Sequence, residues 1–169
     1  SWTGDVAGKV WVSGASYDVT RVKALTAATK QSYDITAFDV GASISAGNFG
    51  LVGYYYDGEG LGTTLFGNKG VTAGGKERDS DGGYVQATYV IPTGTKLGVA
   101  YGVSNLDTAS GETNATLVEE NERWTVGAYH PLTKHLNLVA EYNATESTGQ
   151  VSTNSMENDT LSLGAILFF

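Results

Sequence analysis

The sequence predicts an all-β fold: eight antiparallel strands of the kind that build a transmembrane β-barrel. Three observations carry this. Apolar residues recur at every second position in segment after segment, the period of a strand with two unlike faces. The connections between these segments alternate between short turns and long loops. The final segment is the clearest: Phe169, Leu167, Ala165, Leu163 and Leu161 are apolar in steps of two, while the alternate set, Phe168, Ile166, Gly164, Ser162 and Thr160, turns small and polar away from the end. In water, a strand this apolar at a terminus is a fraying and edge-pairing hazard. A membrane barrel instead turns one strand face to lipid and seats aromatics at the interface.

Taken in order, the first strand is expected from about Val6 to Tyr17. Val10 and Val12 compete with Trp11 for the apolar face, and outward valines keep Lys9 out of lipid. The second, about Ile35 to Ala46, sets Phe38, Val40, Ala42, Ile44 and Ala46 against Asp39, Gly41, Ser43 and Ser45. For the third, Gly50 to Asp57, the expectation is Val52, Tyr54 and Tyr56 outward, with Gly53, Tyr55 and Asp57 inward. The fourth, Gly83 to Ile91, has Val85, Ala87, Tyr89 and Ile91 opposite Tyr84, Gln86 and Thr88. The fifth, Thr95 to Asn105, has Leu97, Val99, Tyr101 and Val103 opposite Lys96, Gly98, Ala100, Gly102 and Ser104. The sixth, Glu122 to Leu132, has Trp124, Val126 and Ala128 opposite Arg123, Thr125 and Gly127. The seventh, His135 to Thr145, has Leu136, Leu138, Ala140 and Tyr142 opposite Asn137, Glu141 and Asn143. The eighth is the terminal segment.

Short turns are expected at Ala46–Gly50, Pro92–Thr95 and Pro131–His135. Long loops are expected at about 18–34, 58–82, 106–121 and 144–157. Membrane barrels have short periplasmic turns and long extracellular loops. That rule places both chain ends on the periplasmic side of a single domain, 1–169. A short helix is the most that Arg21 to Lys30 could form, from Val22, Leu25 and Ala28 at helical spacing.

Composition narrows the class. There is no cysteine, so disulfides and thiolate metal sites are excluded. No run approaches the roughly 18 to 20 apolar residues of a membrane helix, which does not exclude a membrane, because a barrel strand hides its lipid face in alternation. A net charge of −8 argues against a nucleic-acid partner and suits a surface that attracts cations. The residues from Ser1 do not read as a signal peptide, so a mature chain or a fragment is expected.

The ending resembles the terminal signal of outer-membrane barrel proteins, with Gly164 near the sixth place from the end and Phe169 last. The resemblance extends over Phe38–Gly60, Gly82–Tyr89, Thr95–Gly102 and Trp124–Leu132, which are similar to segments of Gram-negative general porins. Those porins have about 16 strands around a water-filled channel. The resemblance therefore implies that this chain is the C-terminal half of such a barrel. It also implies a homotrimer in the bacterial outer membrane, among lipid and lipopolysaccharide. The N-terminal half of the same barrel would be its partner and would carry the constriction loop.

A pore acts by width and wall charge rather than by a reaction. The candidate pore-lining residues are Lys9, Asp39, Lys96, Arg123 and Glu141. The expected interface aromatics are Tyr54, Tyr56, Tyr89, Tyr101, Trp124, Tyr142 and Phe169. The loops carry an acidic excess, including Asp57, Asp81, Glu120, Glu122, Glu146, Glu157 and Asp159, which would enrich cations or bridge to lipopolysaccharide through divalent ions. Asp79-Ser-Asp-Gly82 starts like a calcium loop but has Val90 where the twelfth-position glutamate belongs. His130 and His135 flank one turn without further ligands or a serine motif, so neither an enzyme nor a cofactor is expected. The expected function is passive diffusion of small hydrophilic solutes and ions. The alternatives are a self-contained eight-stranded surface barrel, and a soluble barrel with apolar side chains inward around a small ligand.

Overall fold

The computed structural model of the chain describes residues 1–22, 30–62, 69–113, 116–151 and 154–169. Eight strands follow one another: β1 (Val6–Val22), β2 (Lys30–Ala46), β3 (Phe49–Glu59), β4 (Asp79–Val90), β5 (Lys96–Leu106), β6 (Val118–Pro131), β7 (Leu136–Gly149) and β8 (Ser155–Leu167). They form one sheet in sequence order, every neighbour antiparallel. β1 and β8 do not touch, so the sheet is open at both edges.

The all-β expectation and the strand count hold, but the strands are longer. β1 and β2 pair all the way to Val22 and Lys30, so most of the loop expected at 18–34 is strand. Arg21, Val22 and Lys30 are extended where a short helix was expected; the rest of that segment lies outside the described residues. Asp79–Gly82 likewise belongs to β4. Hydrogen-bonded ladders continue past the apolar residues into polar ones, with Thr20 Oγ1 and Ser32 Oγ 3.2 Å apart across β1 and β2. The chain ends meet the short turns: Val6 pairs with Ala46, and Leu167 with Leu136.

The sheet has almost no core. Its accessible surface is 10968 Å², against about 8,000 Å² for a compact monomer of this mass. The buried apolar residues among those described are Ile35, Leu61, Leu106, Ala109 and Leu117, all at the loop end. There the β3–β4 and β5–β6 connections fold against the sheet around Leu106, which is 1% exposed. Arg78, 3% exposed, ties them together. Its Nε and Nη2 donate to the two carboxylate oxygens of Glu112 at 2.7 and 2.6 Å, and its Nη1 donates to the carbonyls of Lys69 and Val71. Gln150 Nε2 adds the β7–β8 connection by donating to the Leu106 carbonyl at 2.6 Å.

A bidentate arginine–carboxylate pair taken out of water is costly to break from one side. Arg78→Ala should loosen this knot by about 3 kcal/mol, because Glu112 is left charged without its arginine. Limited proteolysis at 69–78 and 107–113 should then be faster, and Arg78→Ala with Glu112→Ala should recover part of the protection.

Candidate functional site

Residues paired directly across an antiparallel ladder lie on the same face, so the register assigns every side chain to a face. One row of partners runs Gly8–Ile44–Leu51–Ala87–Val99–Val126–Tyr142–Leu161. The next runs Val6–Ala46–Phe49–Tyr89–Leu97–Ala128–Ala140–Leu163. This is the apolar face. The opposite face is small and polar, with the row Lys9–Ser43–Val52–Gln86–Ala100–Thr125–Asn143–Thr160 as an example. All five charged wall candidates fall on it. Lys9 pairs with Ser43, Asp39 with Ser13, Lys96 with Val90 and Tyr129, Arg123 with Gly102 and Thr145, and Glu141 with Gly127 and Ser162.

β3 departs from the expectation. Tyr54 pairs with Gly41 and Tyr84, and Tyr56 with Asp39 and Gly82, so both tyrosines lie on the polar face. Phe49, Leu51 and Tyr55 take the apolar face instead, level with Ala46, Ile44 and Val40. Three consecutive tyrosines hide the period, and starting the strand at Gly50 leaves its parity free. The two-residue turn at Gly47–Asn48 fixes it, because the residues flanking such a turn pair and face alike. Gly47 has φ of 54° and Asn48 a negative φ, the pattern of a type II′ turn. The Gly-Asn pair between two strand-like runs was the signal that could have corrected the reading.

The polar face holds its aromatics over glycines. Trp11 lies across Gly41, where an added Cβ would stand 2.1 Å from the indole. Lys9 Nζ sits 5.0 Å from the Trp11 ring centroid. Tyr56 crosses Gly82 on β4 and reaches Ser104 Oγ on β5 at 2.5 Å. Tyr129 crosses Gly127 and donates to Glu141. Tyr54 packs on Tyr84 with centroids 5.6 Å apart. Asp39 accepts from Ser13. On β2 and β3 this face is the less exposed one: Asp39, Gly41, Ser43, Tyr54 and Tyr56 are buried or half-buried, while Phe38, Val40, Ile44, Leu51 and Tyr55 are exposed. That ordering belongs to a ribbon curved toward its polar side.

The apolar residues form a slanted band. Its loop-side limit is Phe38 on β2. The hydrogen-bonded row through Phe38 arrives on β8 at Ser155, yet the band begins there at Leu161, six residues on, after six strand steps. Its turn-side limit moves the same way, from Phe49 on β3 to Leu167, four residues past the Leu163 of its row. About one residue per strand, at roughly 3.3 Å rise and 4.8 Å strand spacing, is a slant of about 35°. From Leu136 to Ala144 on β7 the band spans about 26 Å along the strand, or about 22 Å perpendicular to its edge. Its loop-side rim carries Phe38, Tyr55, Tyr101, Trp124 and Tyr142, with Tyr101 and Trp124 in ring contact at 4.7 Å. Its turn-side rim carries Phe49 and Tyr89, and Phe169 lies two residues past Leu167.

Several acidic residues counted with the loops, Asp57, Asp81, Glu120, Glu122, Glu146, Glu157 and Asp159, are strand residues just beyond the loop-side rim, on the apolar face, while Glu112 does lie in a loop. Asp57 pairs with Asp81, and Glu122, Glu146 and Glu157 form one row. Like charges directly opposite repel. Burial, then the charge of Glu122, raises the pKa of Glu120 above the ordinary glutamate value. At the turn side, His130 Nδ1 meets Thr95 Oγ1 at 2.9 Å and His135 Nδ1 meets the Phe168 carbonyl at 3.2 Å. No group of three or more His, Asp or Glu among the described residues could hold a metal ion. No helix among them is long and apolar enough to cross a membrane, which says nothing of strands. No protein-family model and no curated protein matches this sequence.

A carboxylate whose folded pKa is raised binds its proton more tightly folded than unfolded, so stability rises as pH falls from neutral through that raised value and levels off below the unfolded one. Glu122→Gln removes one cause. It should raise stability at pH 7 by about 0.5 kcal/mol, a small figure because these groups are largely solvated. It should also shrink the gain on acidification. Melting of the folded protein in detergent between pH 7 and 4 checks both.

Proposed function

We propose that this chain is half of the wall of a water-filled outer-membrane pore, through which small hydrophilic solutes and ions diffuse passively. The observation that carries the reading is the slanted apolar band on one face of an open sheet whose other face is small and charged. Lipid-exposed bands of membrane barrels are about 25 Å tall with aromatic rims, on strands tilted about 35–45°. The band here, about 22 Å high, is close to that height and has those rims and that slant. Its side chains are bare: Val12 is 75% and Leu163 77% exposed. Water penalises such surface by roughly 25 cal/mol per Å², and hydrocarbon does not.

The open edges of β1 and β8 carry unpaired backbone groups, which lipid tolerates only in a closed barrel. Further strands, from the N-terminal half of a barrel of about 16, close it in this reading and leave a wide lumen. The small side chains of the polar face suit the wall of a wide lumen better than the filling of an eight-stranded one. The acidic row beyond the rim faces outward, where divalent cations would bridge it to lipopolysaccharide. Assembly as a homotrimer rests on the porin resemblance alone. An eight-stranded surface barrel gains from the even strand count and from both ends meeting the short turns; the open edges count against it. A soluble barrel is disfavoured by an apolar face more exposed than the polar one.

The native gene product, purified in detergent and reconstituted in planar bilayers, should give stepwise, ohmic currents. A polypeptide of about twice this length is expected. Silent bilayers with correctly folded native protein would sink the pore.

A further inference from the structure

The hollow between Tyr84 and Arg123 on the polar face has the make-up of a binding site. The two residues stand in one hydrogen-bonded row with Gly102 between them. Their backbones are therefore two strand spacings, about 10 Å, apart. Gly102 and Ala100 put no bulk on the floor. The space above is 430 Å³, with Tyr84 on one side and Asn121, Arg123 and Thr125 on the other.

Arg123 borders it with donors to spare. It gives Nε to Thr145 Oγ1 at 3.1 Å, and among the described residues no carboxylate pairs with its guanidinium. Beside it, Asn121 Oδ1 accepts from Ser147 Oγ at 2.6 Å. The acids nearby do not neutralise Arg123. Glu122 and Glu146 belong to the opposite face, and Glu141 is held by Tyr129 in another row. Tyr84, 40% exposed and backed by Tyr54, offers a flat apolar wall across from the charge. A positive fork facing an aromatic plate across one small space is the pattern of a site for an anionic oxygen group on an organic body.

We propose that this hollow binds small organic anions, carboxylates or phosphate monoesters, whose oxygens meet the Arg123 guanidinium and whose body lies on the Tyr84 ring. In a chain of net charge −8, this is where a passing anion is retained rather than repelled. Access from the lumen rests on the pore reading; the site itself is built by β4, β5, β6 and β7.

The test is a titration of the folded protein in detergent micelles with inorganic phosphate, glucose 6-phosphate and glucose, read by calorimetry. Phosphate and glucose 6-phosphate should bind saturably and glucose should not. Arg123→Gln should weaken both anions about tenfold or more, the weight of a charge-assisted hydrogen bond. Arg123→Lys should restore part of the binding, which a merely unfolded variant could not. Tyr84→Leu should weaken glucose 6-phosphate and leave inorganic phosphate unchanged. Absent binding, binding indifferent to Arg123→Gln, or glucose binding as well as its phosphate would overturn the subsite. Micelles keep the two ideas apart: a conducting pore without such binding defeats the subsite alone, and anion binding without conductance defeats the pore alone.

Discussion

A sheet one layer thick has no interior, and everything else in this molecule follows from that. Backbone ladders hold the strands together, with sequence neighbours as spatial neighbours throughout. Among the described residues, neither face has a second layer against it. Alternation then separates the chemistry cleanly: what points one way is apolar, what points the other is small, hydroxylated or charged. Among the described residues, the apolar side chains that the protein buries by itself lie under the folded loops around Leu106 and Arg78. The sheet must therefore find an environment that differs on its two sides.

The polar face is graded rather than uniform. At β1 to β4 it carries Trp11, Tyr54, Tyr56 and Tyr84 with Asp39 among them; at β6 and β7 it becomes a set of rungs joining Arg123 to Thr145, Thr125 to Asn143 and Asn121 to Ser147. Glycines make this possible, because a large ring can lie flat only where its neighbour has no side chain. The apolar face is uniform along its band and changes abruptly at the rim, where Trp124 and Tyr142 give way to Glu122, Glu146 and Glu157 within two or four residues. The band slants across the strands as strand tilt in a barrel requires, although neither edge of this sheet is closed.

Most of this was legible in the sequence because a period of two survives in nearly every segment. The faces of β2, β5, β7 and β8 could be read directly, and Lys9 settled β1. Parity failed where local composition carried no contrast. Tyr54-Tyr55-Tyr56 is equally aromatic on both faces, and only the hairpin turn at Gly47–Asn48 decides between them. Strand ends failed for a related reason: Asp18, Asp34, Asp79 and Glu157 look like loop residues, yet cross-strand hydrogen bonds extend the ladders through them. The Arg78–Glu112 pair and the Tyr84–Arg123 hollow join residues that are far apart along the chain, and no spacing announces them.

In the pore reading the polar face meets water and the apolar face lipid, and these 169 residues have no cysteine to confuse a labelling test. Single cysteines at positions 51 to 56 of the native protein, reconstituted in lipid vesicles, can be challenged with a charged, water-soluble thiol reagent. In the pore reading Val52→Cys, Tyr54→Cys and Tyr56→Cys react, while Leu51→Cys, Gly53→Cys and Tyr55→Cys stay protected. The reverse alternation, or even labelling at all six, would contradict it.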